Sequence, residues 1–283
     1  FRPVLVLLSS HALDESKSKK KEEQLIQCAA AIEMIHMASL IHDDVIDDGK
    51  LRRNRETINL KYGNKVSVTM GVLIYSLALT LIAKINSSIV LNEISLAVKN
   101  MCNGELLQLE ARKYSVFNKD HYFKILHYKT ASLFEAAAVS ATHIVGASKK
   151  QSNLFRSFSY HLGISFQLTD DILDLSKTER PLNKEMGQDY YQGQLTLPMV
   201  LALESFNETE KERFNVYFKN RDAQGLKMIQ AVVDNKTVVS KIYKIVNKHI
   251  KSAKNKIDLM KPSKYTDLLD DLINEVDKRA VIH

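Results

Sequence analysis

The stretch Glu23–Gly49, EQLIQCAAAIEMIHMASLIHDDVIDDG, decides how the chain folds. Its apolar residues Leu25, Ala29, Ile32, Ile35, Ala38, Leu40 and Ile41 recur at helical spacing, so one face of a helix is buried. Gly49 supplies the stop. The pattern continues outward. Helices are expected over residues 4–8, 23–48, 66–86, 91–114, 120–145, 151–176, 195–205, 208–220, 223–235, 238–259 and 265–281, with a polar loop over 12–22. The four prolines are Pro3, Pro181, Pro198 and Pro262, so residues 4–180 hold none, and only 9 glycines occur in 283 residues. A β-sandwich or barrel of this length needs more turn formers, and no strand alternation of useful length is present. The expectation is one all-α domain over residues 1–283.

Composition narrows the rest. With 45% hydrophobic and 26% charged residues, wholesale disorder is excluded. Two cysteines, Cys28 and Cys102, exclude a disulfide scaffold and a cysteine-based zinc ribbon, fit a reducing compartment, and read as small core fillers. The net charge of +7 suits a solvated basic surface or an anionic ligand. No zinc-finger spacing, RNA-binding signature or zipper accompanies it, so no nucleic-acid partner is expected. Val66–Ala83 runs 18 residues without a charge, at the lower limit for a bilayer span, but its polar content reads as a buried central helix. At most peripheral membrane contact is expected. The start Phe1-Arg2-Pro3, lacking an initiator methionine, reads as a truncated N-terminus, with any targeting segment lost.

Two clusters carry the chemistry: Asp43-Asp44-Val45-Ile46-Asp47 and Asp170-Asp171-Ile172-Leu173-Asp174. On a helix, residues four apart share a face, so Asp43 lies beside Asp47 and Asp170 beside Asp174. Carboxylates so close repel unless a cation sits between them. Apolar sequence precedes both clusters, which is unlike a solvated acidic face. All-carboxylate sites suit hard cations, Mg²⁺ above all, and Mg²⁺ usually bridges carboxylates to substrate phosphates. Arg52-Arg53 and Arg55 follow the first cluster, and guanidinium forks bind phosphate oxygens bidentately.

With these residues assembled, the chain resembles the trans-isoprenyl diphosphate synthases. Glu33 through Asp47, continuing to Arg52-Arg53, is similar to the family's first aspartate-rich region. Gly104-Glu105-Leu106-Leu107-Gln108, Lys129-Thr130-Ala131 and Gly163 through Asp174 are similar to further motifs of it. Lys184, Asp189, Gly193 and Thr196-Leu197-Pro198 follow in the family's order. Some positions depart: Met70-Gly71-Val72 stands for a usual Ala-Gly-Asp, Asn183-Lys184 for Gly-Lys, and Gln194 where many members carry lysine.

The resemblance implies a single large bundle of mostly antiparallel helices around a deep central cavity, usually a homodimer, with a heteromer as the alternative. It implies three Mg²⁺ ions and two substrates, an allylic diphosphate and isopentenyl diphosphate, joined into a medium- or long-chain polyprenyl diphosphate for a quinone side chain such as that of ubiquinone. It carries roles over by position. Asp43, Asp47 and Asp170 become direct metal ligands, and Asp44, Asp171 and Asp174 become ligands or hold metal-bound waters. Arg52, Lys129 and Lys184 grip the allylic diphosphate, while Arg2, His36 and Arg53 hold isopentenyl diphosphate. Thr130 and Gln167, with Lys129, line the allylic cation with oxygen dipoles. His42 reads as structural, and Glu105 and Gln108 as helix-packing hydrogen bonders. A mitochondrial or other organelle matrix fits a soluble enzyme of this kind. The rival readings are a non-catalytic subunit of a heteromeric synthase and a terpene cyclase; two intact aspartate clusters argue against both.

The resemblance also implies that the growing chain runs beside the helix leading to Asp43, which bears on product length. One turn rises ~5.4 Å, about one isoprene unit. Ser39 and Ala38, four and five residues before Asp43, are small, and Ile35 a turn further back is not aromatic. Members of the family that stop at about fifteen carbons often block these positions with an aromatic ring, so a product of at least about twenty carbons, and by preference about thirty to fifty, is expected here. Ala38→Phe or Ser39→Phe is expected to shorten the product; an unchanged product ladder, sized by mass spectrometry, overturns the assignment.

Overall fold

The computed structural model describes residues 1–15, 18–52, 55–114, 118–175, 187–194, 196–233 and 236–280. Among them the chain is helical almost throughout. In order come α1 (Arg2–His11), α2 (Lys19–Ile46), a two-residue ladder of β1 (Leu51–Arg52) and β2 (Arg55–Glu56), α3 (Ile58–Tyr62), α4 (Asn64–Ile85) and α5 (Ser88–Tyr114). Then follow α6 (Lys119–Leu126), a π-helical turn (His127–Ala131), α7 (Ser132–Val145), α8 (Lys149–Leu175), α9 (Gln188–Gln192), α10 (Leu197–Ser205) and α11 (Glu208–Asn220). The last three are α12 (Ala223–Val233), α13 (Lys236–Ile257) and α14 (Lys264–Ala280).

The differences from expectation have local causes. Helix α2 begins inside the expected polar loop because the Ser18 side chain accepts from the Lys21 N–H at 3.4 Å, so the lysine run becomes its first turn. The helix expected over 120–145 is interrupted by the π-turn. The β-ladder, α3 and α9 are too short to show a periodicity.

Two compact units form. The first comprises residues 1–98, 133–157 and 258–269. Here α2 packs along α4, with α1 and α3 beside them. Leu5, Leu25, Ile32, Ile35, Ile82, Ile85 and Phe134 are buried, each worth roughly 1.5–3 kcal/mol. Cys28 is a core filler as expected, its thiol pushed up to about 12 by burial.

The expected buried central helix over Val66–Ala83 is corrected. In α4 only Ser67, Gly71, Ala78, Ile82 and Ile85 are buried, while Val66, Val68, Val72, Leu73 and Leu77 are 44–56% exposed. Lack of charge dictates that such a face be covered, not which surface covers it. By length and hydropathy α2 and α4 also meet the requirement for crossing a membrane.

The second unit comprises residues 99–132, 158–257 and 270–283. Tyr190, Met199, Phe214, Phe218, Leu226 and Ile229 form its aromatic-rich core. The Phe214 and Phe218 rings stack with centroids 5.5 Å apart, and the buried Tyr190 hydroxyl donates to the Asp222 carbonyl at 2.7 Å. Cys102, expected as a core filler, is exposed.

Within this unit His161 of α8 and His249 of α13 meet with their Nδ1 atoms 3.1 Å apart, one donating and one accepting. Phe123 stacks on His249. Burial lowers both imidazoles, His249 to about 4, and each is lowered further by charge around it: Lys256 and Lys248 for His161, His161 and Lys248 for His249. Unfolded histidine titrates near ~6.5, so below that pH the unfolded chain binds more protons than the native one. Stability is therefore lost as pH falls from ~6.5 toward ~4. Melting temperature is expected to fall across this window, less steeply in His249→Gln; equal slopes overturn the assignment.

Candidate active site

In the first unit α2 delivers the first aspartate cluster at its C-terminus. Asp43 and Asp44 lie in the last turn, and Asp47 is the C-cap, its N–H donating to the Asp43 carbonyl at 2.8 Å. No basic residue occupies that turn. A helix C-terminus already carries partial negative charge, so added carboxylates call for a cation. The chain beyond is braced. The Gly49 N–H donates to the Asp44 carbonyl at 2.8 Å, the Asn59 amide donates to the Asp44 and Gly49 carbonyls, and the Thr57 hydroxyl donates to the Gly49 carbonyl at 2.7 Å. This brace and the β-ladder bring Arg52 back to the cluster. Its Nε donates to both Asp44 oxygens at 3.0 Å, and Nη2 donates to Oδ1 at 2.7 Å.

Other expected residues of this unit lie on α1 and α2. Arg2 is buried in the first turn of α1, its guanidinium 4.6 Å from the Phe134 ring centroid. His36 is half-buried, and its carbonyl accepts from the Ser39 hydroxyl at 2.8 Å. Ala38 and Ile35 are buried, and Ser39 is half-buried. His42 lies against α4: its Nε2 is 3.2 Å from the Val68 carbonyl, and a Cβ on Gly71 would lie 2.2 Å from that nitrogen. Glycine at 71 is thus what lets the two helices approach there.

In the second unit α8 ends on Asp170, Asp171 and Asp174, again without a basic residue in its last turn. The three differ. Asp170 is 37% exposed and accepts from Arg279 Nη2 of α14 at 2.7 Å. Asp174 is buried, and its carboxylate accepts from the Asp189 N–H at 3.2 Å. Asp171 is also buried, accepting from the Tyr122 hydroxyl at 2.5 Å and from Gln167 Nε2 at 3.0 Å. Burial pushes its carboxyl up, opposed by those two hydrogen bonds. Burial, and then the neighbouring Asp171, pushes the Tyr122 phenol well above its ordinary value.

Lys129 and Thr130 sit on the π-turn, a helix form that concentrates at functional sites. Lys129 Nζ lies 2.5 Å from Glu105 Oε2 and donates to Gln108 Oε1 at 2.9 Å. Glu105 and Gln108, expected only to pack helices, therefore hold this ammonium. Thr130 Oγ1 donates to Gln167 Oε1 at 2.9 Å. Gly104 permits the close pass: a Cβ there would meet Lys129 Cγ at 2.7 Å and the Lys129 backbone nitrogen at 3.0 Å. Tyr122 and Arg279 were not singled out by the sequence, and no motif or spacing marks them. Arg53 and Lys184 lie outside the described residues.

The donor set fits a hard cation: carboxylates at each helix end, with no thiolate or imidazole among them. Among the described residues no three metal-binding side chains converge into a ready cage. Mg²⁺ is usually held by one or two carboxylates, with waters and substrate phosphate completing its shell.

The polyprenyl synthetase family model matches residues 1–236. The all-trans-nonaprenyl-diphosphate synthase (geranyl-diphosphate specific) of Rhodobacter capsulatus is 31% identical over 272 residues, 96% of this chain and 82% of that protein. The octaprenyl diphosphate synthase of Haemophilus influenzae is 35% identical over 207 residues, which span 73% of this chain and 61% of that protein. A crystal structure of a polyprenyl synthase from Caulobacter crescentus, complexed with calcium and isoprenyl diphosphate, aligns with a TM-score of 0.88 at 26% identity, covering 100% of this chain and 84% of that one.

Gly104→Ala sets a methyl against Lys129 Cγ, Tyr128 Cβ and the Lys129 backbone nitrogen, and overpacking of this kind costs about 1–3 kcal/mol. A lowered melting temperature is expected; a melting temperature equal to wild type overturns the close-pass reading.

Proposed function

The chain belongs to the polyprenyl synthetase family, and from that membership we propose that it is a Mg²⁺-dependent trans-prenyltransferase. It condenses isopentenyl diphosphate with an allylic diphosphate into a medium- or long-chain polyprenyl diphosphate, a quinone side-chain precursor. The observation that carries the reading is the presence of three aspartates at the C-terminal ends of both α2 and α8, each end lacking a basic residue in its last turn.

Asp43, Asp47 and Asp170 would hold three Mg²⁺ ions, assisted by Asp44 and Asp174. When bound, Mg²⁺ supplies Lewis-acid stabilisation of charge on the departing pyrophosphate. The Lys129 ammonium, held by Glu105 and Gln108, meets the allylic diphosphate, together with Arg52 and Lys184. Arg2, His36 and Arg53 hold isopentenyl diphosphate. Thr130 and Gln167 turn fixed oxygen dipoles toward the allylic carbocation, which is stabilised without reorganisation. The double bond of isopentenyl diphosphate attacks the cation, a carbon–carbon bond forms, and the proton then lost passes to the pyrophosphate. Small Ala38 and Ser39 leave room for a long product.

The active form is a homodimer. The exposed apolar face of α4 supports this, as do Ile89, Leu91 and Leu96 on α5, each 45–50% exposed. Exposed apolar faces of this kind mark interaction surfaces.

The test is product analysis by mass spectrometry. The protein is incubated with farnesyl or geranylgeranyl diphosphate, isopentenyl diphosphate and Mg²⁺, beside Asp170→Ala. A ladder reaching about thirty carbons or more, reduced at least roughly a hundredfold in the variant, is expected. A stop at about twenty carbons or fewer keeps the enzyme class and overturns the long product. No elongation shifts the reading to a subunit that needs a partner.

A further inference from the structure

Tyr122 lies on α6 outside every motif quoted above, and it is 1% exposed. Its hydroxyl donates to Asp171 Oδ2 at 2.5 Å. The other carboxylate oxygen accepts from Gln167 Nε2 at 3.0 Å, and Gln167 Oε1 accepts from Thr130 Oγ1 at 2.9 Å. Four side chains from α6, the π-turn and α8 thus form one chain of hydrogen bonds with a definite direction. Asp171 accepts from the Tyr122 hydroxyl and the Gln167 amide, with the Leu197 N–H as a further donor. An amide whose NH₂ is tied to a carboxylate has lost its freedom to flip, so its oxygen must face Thr130.

We propose that Tyr122 is a positioning residue: acting through Asp171, it fixes which way the Gln167 amide faces, and so the oxygen dipole offered to the allylic cation. This deepens the function proposed above and rests on it. It also separates Asp171 from Asp170 in the second cluster. Asp171 is 4% exposed with both oxygens engaged by protein donors, whereas Asp170 is 37% exposed on its side chain. Asp170 keeps the metal role, and Asp171 orients. Without the Tyr122 hydroxyl the carboxylate loses the donor on Oδ2 that sets its angle against Gln167. The Gln167 amide can then turn its NH₂ toward a developing positive charge, which is the wrong dipole for the transition state. Ground-state binding of either diphosphate gains nothing from this chain, so the effect belongs in kcat and not in KM.

The test is Tyr122→Phe, which keeps the ring and deletes one oxygen. It is assayed for elongation below its melting temperature and compared with wild type, Gln167→Met and the double variant. The expected kcat loss in Tyr122→Phe is roughly 10- to 100-fold, with KM for both diphosphates and the Mg²⁺ half-saturation concentration within about twofold. In the Gln167→Met background no amide remains to orient, so the same change is expected to cost no more than about twofold. A merely structural hydroxyl would cost the same in both backgrounds, and that result overturns the proposal. So does an unchanged kcat, or a Mg²⁺ half-saturation concentration that rises with loss of the hydroxyl. Should Tyr122→Phe fail to fold, Asp171→Asn preserves side-chain volume. It is expected to show the same kcat loss with the same dependence on Gln167, and an additive loss overturns the proposal. A wild-type protein that does not elongate removes the underlying function and this proposal with it. An active wild type with an unaffected Tyr122→Phe removes this proposal alone.

Discussion

A helix C-terminus carries the partial negative charge of its unpaired carbonyls, and this chain adds three aspartates to two such ends. Each cluster is thus unfavourable by itself and is held in place by the packing of the helix that bears it. In each compact unit an arginine answers part of the charge: Arg52 forks onto Asp44, and Arg279 reaches Asp170. Both arginines are more than a third exposed, and ion pairs of that kind are worth only about 0–1 kcal/mol. Such a counter-ion is cheap to displace. In the function proposed above, a multivalent cation would compete with such a counter-ion at the helix ends.

The π-turn at His127–Ala131 solves a different problem. Lys129 and Thr130 are adjacent in sequence yet have separate tasks, one on an ammonium network and one on an amide. The wider turn lets the Lys129 side chain run to Glu105 and Gln108 while the Thr130 hydroxyl meets Gln167. Gly104 makes the first arrangement affordable in space, since any Cβ would press on Lys129 itself. Two helix-borne motifs that look independent in sequence therefore act as one device.

Much of this was legible in the sequence. Apolar spacing in α2, α5, α8 and α11 marked those helices to within a few residues, because helix formation and amphipathicity are properties of neighbouring positions. Short elements escaped: the β-ladder, α3 and α9 lack the length to display a period. The π-turn escaped because a single extra residue per turn leaves no mark on composition. Glu105 and Gln108 were visible as a motif, but their hold on Lys129 was not, since it depends on how α5 meets the π-turn.

What the sequence by itself determined is the all-α class, the two acidic helix ends and the family, because each rests on local spacing and residue type. Tertiary structure alone decided that α4 exposes its uncharged face, that Cys102 lies at the surface and that His161 meets His249. It alone brought Tyr122 to Asp171 and Arg279 to Asp170. These relations join segments far apart in the chain. They arise from side-chain packing between helices, and the order of residues along one helix carries no record of which other helix it will meet.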